Sequence, residues 1–166
     1  MYQDFKELFV AFNAHKVKYL IIGGYAVGFH AEPRATKDID ILIGNDPDNA
    51  KKAYAALKEF GAPLRGITAL DLIEKDTFFR MGNSPIMIDI LSAAAGIDFE
   101  MAWSRKISMT IDKKMKSKAW AVSSEDLITS KVAAGRPQDL ADVAALRAVA
   151  KIVAKPKVIN KRDLKS

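Results

Sequence analysis

Residues 38–43 read Asp-Ile-Asp-Ile-Leu-Ile, and this run constrains the chain more than any other. A short, β-branched stretch of this kind is a strand. Alternate side chains of a strand point to opposite faces, so Ile39, Ile41 and Ile43 can enter a core while Asp38 and Asp40 project together from the other face. Residues 86–91, Ile-Met-Ile-Asp-Ile-Leu, repeat the pattern and put Asp89 opposite an isoleucine face. If the two strands are neighbours, three carboxylates converge. Three anions raise each other's pKa and destabilise the fold unless a counter-charge is present. A single Asp in a strand is more simply a solubilising residue or the partner of a Lys or Arg. The doubled pattern turns the reading toward a hard divalent cation, with Mg²⁺ the best fit because it takes one or two carboxylates, keeps water and accepts phosphate oxygens. Two such ions could activate a hydroxyl and stabilise a leaving pyrophosphate.

The rest of the 166-residue chain supplies helices and further strands around this pair. Phe5, Leu8, Phe9 and Phe12 recur at helical spacing over residues 3–15. Residues 17–22 form a buried strand closed by Gly23-Gly24, and a short helix follows over 24–31. Asp46 caps a helix that starts at Pro47 and stops at Gly61. A short helix is expected over 68–74, and strands over 77–81 and 86–91 flank a turn at Gly82-Asn83-Ser84-Pro85. A helix over 98–103 and a hairpin over 107–111 and 119–122 come next. Ser123 to Asp126 forms a capping box for a helix ending at Gly135, and a last helix runs from Pro137 to before Pro156. The fold class is therefore α+β: a mixed sheet flanked by helices, with C-terminal helices. The expected organisation is a catalytic domain over 1–122, a helical segment over 123–155 and a basic tail over 156–166.

Several function classes are excluded. Cysteine is absent, so there is no disulfide scaffold, thiol nucleophile or Cys-ligated metal. Only His15 and His30 are present, which argues against a multi-histidine zinc site. No apolar run approaches the roughly 18 residues of a membrane span, and the start of the chain shows no signal-peptide pattern, so a soluble, cytoplasmic protein is expected with no membrane partner. The net charge is +6, with six basic residues and one acid in residues 151–166, so the body is nearly neutral. That tail could touch nucleic acid or be a solvated end.

Gly23-Gly24-Tyr25-Ala26-Val27, then Arg34-Ala35-Thr36-Lys37-Asp38-Ile39-Asp40, resembles the signature of the nucleotidyltransferase superfamily related to DNA polymerase β. Its likeness is greatest to the bacterial branch that includes the abortive-infection (AbiEii-like) toxin nucleotidyltransferases. The stretch from Lys131 to Asp142, with Gly135-Arg136-Pro137 at its centre, resembles the C-terminal helical motif of that branch, and the resemblance spans roughly residues 17–146. It implies a nucleotidyltransferase-like fold and an Mg²⁺-dependent enzyme (Mn²⁺ as an alternative) that moves a nucleoside monophosphate from an NTP to a hydroxyl. Gly23 and Gly24 would cradle the triphosphate. Asp38, Asp40 and Asp89 would bind metal, with Asp89 also the general base. Lys131 would neutralise phosphate, and Asp139 and Asp142 would complete the C-terminal motif. The acceptor would be RNA, a tRNA end or a protein, and an antitoxin partner is implied. Gly24 stands where many relatives carry Ser.

The residues themselves leave alternatives. Lys131 leans toward the apolar face of its helix and needs a partner, either a nucleotide phosphate or Asp139 or Asp142. Arg34 could hold phosphate, orient the Asp-x-Asp loop through a carboxylate fork, or be a surface residue. Thr36 is read as bracing its turn and His30 as capping or packing. The basic residues 105–118, bordered by Trp103 and Trp120, could grip RNA or protect an edge hairpin, and the second reading is preferred. Beside the enzyme stand two other functions: a catalytically inactive nucleotidyltransferase fold that binds nucleotide or nucleic acid, and a metal-dependent phosphoesterase.

Overall fold

The computed structural model describes residues 1–154; the tail expected over 156–166 lies outside the described residues. In chain order the elements are α1 (Gln3–Ala14), β1 (Tyr19–Ile22), α2 (Gly23–His30), β2 (Ile39–Ile43), α3 (Pro47–Phe60), a 3-10 turn (Leu70–Ile73), β3 (Phe78–Asn83), β4 (Ile86–Leu91), α4 (Phe99–Ser104), β5 (Ile107–Asp112), β6 (Ser117–Ala121), α5 (Ser124–Ala134) and α6 (Pro137–Ala154). The six strands form one mixed sheet in the order β3-β4-β2-β1-β6-β5. β2 runs antiparallel to β1 and parallel to β4, so the two acidic strands are hydrogen-bonded neighbours in the middle of the sheet.

Local chemistry explains the boundaries. The Asp46 carboxylate accepts the Asn49 amide at 2.9 Å at the start of α3, and Gly61 takes a left-handed φ of 92° to end it. Ser123 caps α5 by accepting the Asp126 amide at 3.1 Å, and Gly135 ends it with φ 66°. Asn49 ties the outer ends of β1 and β2 together, accepting the Lys18 amide and donating to the Lys18 and Gly44 carbonyls. Such bonds satisfy a buried amide that would otherwise be destabilising.

α1 lays Phe5, Leu8, Phe9 and Phe12, all fully buried, onto the core. Phe9 stacks on Tyr19, whose hydroxyl donates to Asn13 Oδ1 at 2.9 Å. β1 and the Ile39/Ile41/Ile43 face of β2 are buried in the same cluster, and Leu127 of α5 and Leu146 of α6 belong to it too. α5 and α6 thus share a continuous core with the sheet. Among the described residues, no helix is long and apolar enough to cross a membrane.

Three expectations shift. β3 extends through Gly82 to Asn83, so its connection to β4 is the two-residue Ser84-Pro85 turn rather than a four-residue one. β6 starts at Ser117, two residues earlier than expected, and α2 begins at Gly23 itself. Ile41 lies fully buried in the central strand pair. Its truncation to Ala should cost about 2–5 kcal/mol of stability, read as a lowered urea midpoint with an unchanged slope.

Candidate active site

The acidic residues meet because of register. Asp40 of β2 is level with Asp89 of β4, and Asp89 is level with Arg80 of β3. Ile22 at the end of β1 is the antiparallel partner of Asp40. Residues paired across strands share a face, so Asp40, Asp89 and Arg80 stand side by side in one row. Asp38 lies two residues before Asp40 on the same face, just ahead of β2, with its carbonyl accepting from the Thr36 hydroxyl at 3.2 Å. Thr36 therefore braces the approach to the strand, as expected. Asp38 is half-exposed, while Asp89 is buried.

Arg80 closes this row. Its Nε donates to Asp89 Oδ1 at 2.6 Å and its Nη2 to Asp89 Oδ2 at 2.8 Å, a two-pronged fork, and Nη2 lies 3.9 Å from Asp38 Oδ2. One guanidinium thus touches two of the three carboxylates. The third, Asp40, is pushed above the ordinary carboxylate range by burial and then by the charges of Asp89 and Asp38, with Lys131 and Arg80 opposing the shift.

The glycine pair fits against these groups. Gly23 follows β1 with φ 68°, and a Cβ there would overlap Asp40 Oδ2 and lie 3.1 Å from its Cγ. The backbone at residue 23 therefore passes directly over the Asp40 carboxylate, which only glycine permits. A Cβ on Gly24 would meet Thr36 Oγ1 at 3.0 Å and Arg34 Nη2 at 3.1 Å. A serine here would crowd both, so glycine matches the way the 31–38 segment folds back over α2.

A second charged cluster lies beside the first. Lys131, only 7 % exposed, pairs with Asp142 at 2.9 Å and Asp139 at 3.2 Å. Of the two partners considered for this lysine, the internal carboxylates are the ones it contacts. Arg136 forks onto Asp139, with Nε to Oδ2 at 2.6 Å, and Arg34 reaches Asp142 at 3.3 Å. Arg34, on the segment that leads into the Asp-x-Asp strand, is thus tied to a carboxylate of α6, by one contact rather than a fork. The Arg136 fork, then Lys131, holds the Asp139 carboxyl down at about 2. Three cations face two buried carboxylates, leaving surplus positive charge next to Asp40. A cavity of about 270 Å³ joins the clusters, with Gly23, Asp40, Leu127, Lys131, Arg136 and Asp139 in its wall. A wider pocket of about 570 Å³ opens beside Asp38 and Arg80, among Thr36, Lys37, Ser84 and Met87.

The donor set suits a hard divalent cation by its chemistry: three carboxylates on neighbouring strands, with Asp40 further disfavoured as an anion by burial first and by the charges of Asp89 and Asp38 second. Among the described residues, no three acidic or histidine side chains already close into a coordination shell. Asp89 is held by Arg80 instead.

All nine residues expected at the site are found in these two adjoining clusters or on the backbone between them. Arg80 and Arg136 were missed as site residues. Arg80 was hidden because a four-residue turn would pair Phe78, not Arg80, with Asp89. His30 Nε2 donates to the Val122 carbonyl at 2.7 Å and plays a structural part, as expected. At the edge hairpin, Lys106 Nζ sits 4.3 Å from the Trp103 ring centre and 5.0 Å from that of Trp120, so the tryptophans flanking the basic segment pack on an internal lysine.

Residues 2–158 match the model of a family described as "Nucleotidyltransferase of unknown function (DUF6036)", and the chain belongs to that family. No curated protein matches it. Among solved structures it is similar to an antigenic nucleotidyltransferase-like protein from Paracoccidioides brasiliensis, with 14% identity, a TM-score of 0.50, and coverage of 93% of this chain and 78% of that one. The mixed sheet with flanking and C-terminal helices is thus a nucleotidyltransferase-like fold.

Two outcomes test the electrostatics. Asp40 is protonated more readily in the fold than in the unfolded chain, so its ionisation costs stability as pH rises through its unfolded value. Asp40→Asn should therefore show a higher urea midpoint than wild type at pH 7 in chelator. Asp139 has the opposite sign: its stabilising ionisation is complete above the unfolded value of about 3.9 and is lost as pH falls toward about 2. Between pH 4 and 2, Asp139→Asn should lose less stability than wild type, as followed by circular dichroism in urea.

Proposed function

We propose that this protein is a divalent-cation-dependent nucleotidyltransferase that moves a nucleoside monophosphate from an NTP to a hydroxyl and releases pyrophosphate. The observation that carries the reading is the row in which Asp40 and Asp89 stand level on parallel strands, with the Gly23 backbone over one carboxylate and the Lys131–Arg136 cluster beside it. The cavity wall carries the Asp40 carboxylate together with the Lys131 and Arg136 cations, the latter two shared with Asp139. A triphosphate with its cation needs both signs of charge.

Asp38, Asp40 and Asp89 would hold Mg²⁺, with Mn²⁺ able to replace it. The cation, when bound, neutralises the triphosphate and lowers the pKa of a nearby hydroxyl. The Gly23-Gly24 turn positions the phosphates by close backbone approach, and Lys131 and Arg136 balance the charge that develops on the leaving group. Asp89 takes the proton from the acceptor hydroxyl. The acceptor oxygen then bonds to the α-phosphorus as the bond from that phosphorus to pyrophosphate breaks. Asp139 and Asp142 fix Lys131, Arg136 and Arg34 in place. The pocket beside Asp38 and Arg80 is on the acceptor side, and its Lys37 suits an RNA or tRNA end, with a protein hydroxyl as the other candidate. Membership of the abortive-infection toxin branch, action in the cytoplasm and an antitoxin partner belong to this proposal and rest on the sequence resemblance.

One observation favours a second reading. Arg80 occupies both oxygens of Asp89, as would suit a fold that binds nucleotide without turning it over. Incubation with α-³²P-labelled NTPs, total RNA and protein separates the two. Transfer of label with Mg²⁺ or Mn²⁺, lost by at least about 100-fold in Asp38→Ala and Asp40→Ala with circular dichroism unchanged, is the expected result. NTP binding without transfer or cation dependence supports the inactive reading, and equal labelling by both mutants contradicts the assigned chemistry.

A further inference from the structure

We propose that Arg80 is an exchangeable counter-ion for Asp89: its guanidinium holds the carboxylate when no cation is bound, and a divalent cation must displace it to gain that ligand. The inference rests on the metal site of the preceding reading and assigns to it a residue the sequence reading did not contain.

The geometry is specific. A carboxylate offers two oxygens, and the Arg80 fork takes both, at 2.6 and 2.8 Å. A cation binding Asp89 therefore meets a direct competitor. Arg80 and Asp89 are level in the antiparallel β3–β4 pair, so both side chains stay on one face of the sheet. Arg80 can swing outward. Its side chain is 49% exposed, and β3 is an edge strand. Phe78, on the same face of β3 and itself exposed, has its ring centre 5.9 Å from the guanidinium carbon and offers a surface along which the group can move. The displaced guanidinium stays at the mouth of the acceptor-side pocket, whose wall it already forms.

The charges explain why such a residue is needed. Asp40 is already burdened by the charges of Asp89 and Asp38. Without either arginine or cation, Asp89 would be a buried, unpaired carboxylate. With both present, the guanidinium would be pushed against a dication. Only one of them fits at Asp89, and so the arginine makes Asp89 available as a proton acceptor only after a cation has arrived. Arg80 is a positioning residue in this scheme, acting on when Asp89 is free.

Competition of this kind weakens apparent affinity by the fraction of molecules in which the site is open. The test is calorimetric titration of the purified protein with Mn²⁺, together with ¹H–¹⁵N spectra of the arginine Nε groups. Arg80→Gln and Arg80→Lys are both used. Lysine keeps the charge but has no fork, so it separates competition for the two oxygens from simple repulsion. The expected result is roughly tenfold tighter Mn²⁺ binding in Arg80→Gln, with a gain of several-fold in Arg80→Lys. In wild-type spectra, titrated with diamagnetic Mg²⁺, the Arg80 Nε resonance (identified by its loss in Arg80→Lys) should move to the position of a free guanidinium. The resonance of Arg105, forked onto Asp126 far along the chain, should stay in place. Wild-type binding with an unmoved Arg80 resonance, or with no gain in Arg80→Lys, overturns the exchange and leaves the metal site standing. No Mn²⁺ binding by wild type or either variant overturns both.

Discussion

Mutual repulsion of three carboxylates on one sheet face is the constraint around which this molecule is organised. Asp40 and Asp89 are forced level by the parallel pairing of two isoleucine-rich strands whose other faces are needed in the core. Neither strand can slip by one residue without turning its aspartates inward and its isoleucines out. The hydrophobic pattern therefore fixes the acids where they repel each other. Everything charged nearby answers that repulsion: Arg80 on one side, Lys131 on the other, each lowering the cost borne by Asp40.

The two basic groups answer it differently. Lys131 is buried and already divided between Asp139 and Asp142, which are themselves held by Arg136, Gln138 and Arg34. That network ties α5, α6 and the segment after α2 into one body, and breaking it by removing a single partner would leave an uncompensated buried charge. Arg80 is half-exposed, on an edge strand, and bound to one partner by a fork. The first arrangement is scaffold; the second can change. A site that must be stable when empty and yet open to a cation has use for both.

Much of this was legible in the sequence, for local reasons. The helices announced themselves by capping residues and glycine stops, as at Asp46 and Gly61 or Ser123 and Gly135, and the strands by their β-branched runs. The Asp-x-Asp pattern and the lone Asp89 could be read as one site because strand periodicity alone decides which side chains share a face. Lys131 was legible as a buried lysine in want of a partner, though which partner it takes depends on the angle between α5 and α6. The Arg34–Asp142 contact, 108 residues apart, has no local signature. Arg80 was lost to a subtler cause. The strand over 77–81 stops two residues short of the real end of β3 at Asn83; the hairpin turn is then two residues too long, the cross-strand register moves by the same amount, and a neighbour two places away lies on the same face and looks equally plausible. Hairpin register is set by turn geometry, not by the pattern of the strands.

Where a nucleotide and its cation sit decides the function. A crystal structure of the protein with Mn²⁺ and an α,β-methylene nucleoside triphosphate tests that directly. The expected result is an anomalous peak shared by the carboxylates of Asp38 and Asp40, with the triphosphate running past the Gly23 backbone toward Lys131 and Arg136. Manganese bound away from all three strand carboxylates, or a triphosphate that touches neither the glycine turn nor the basic cluster, would contradict it.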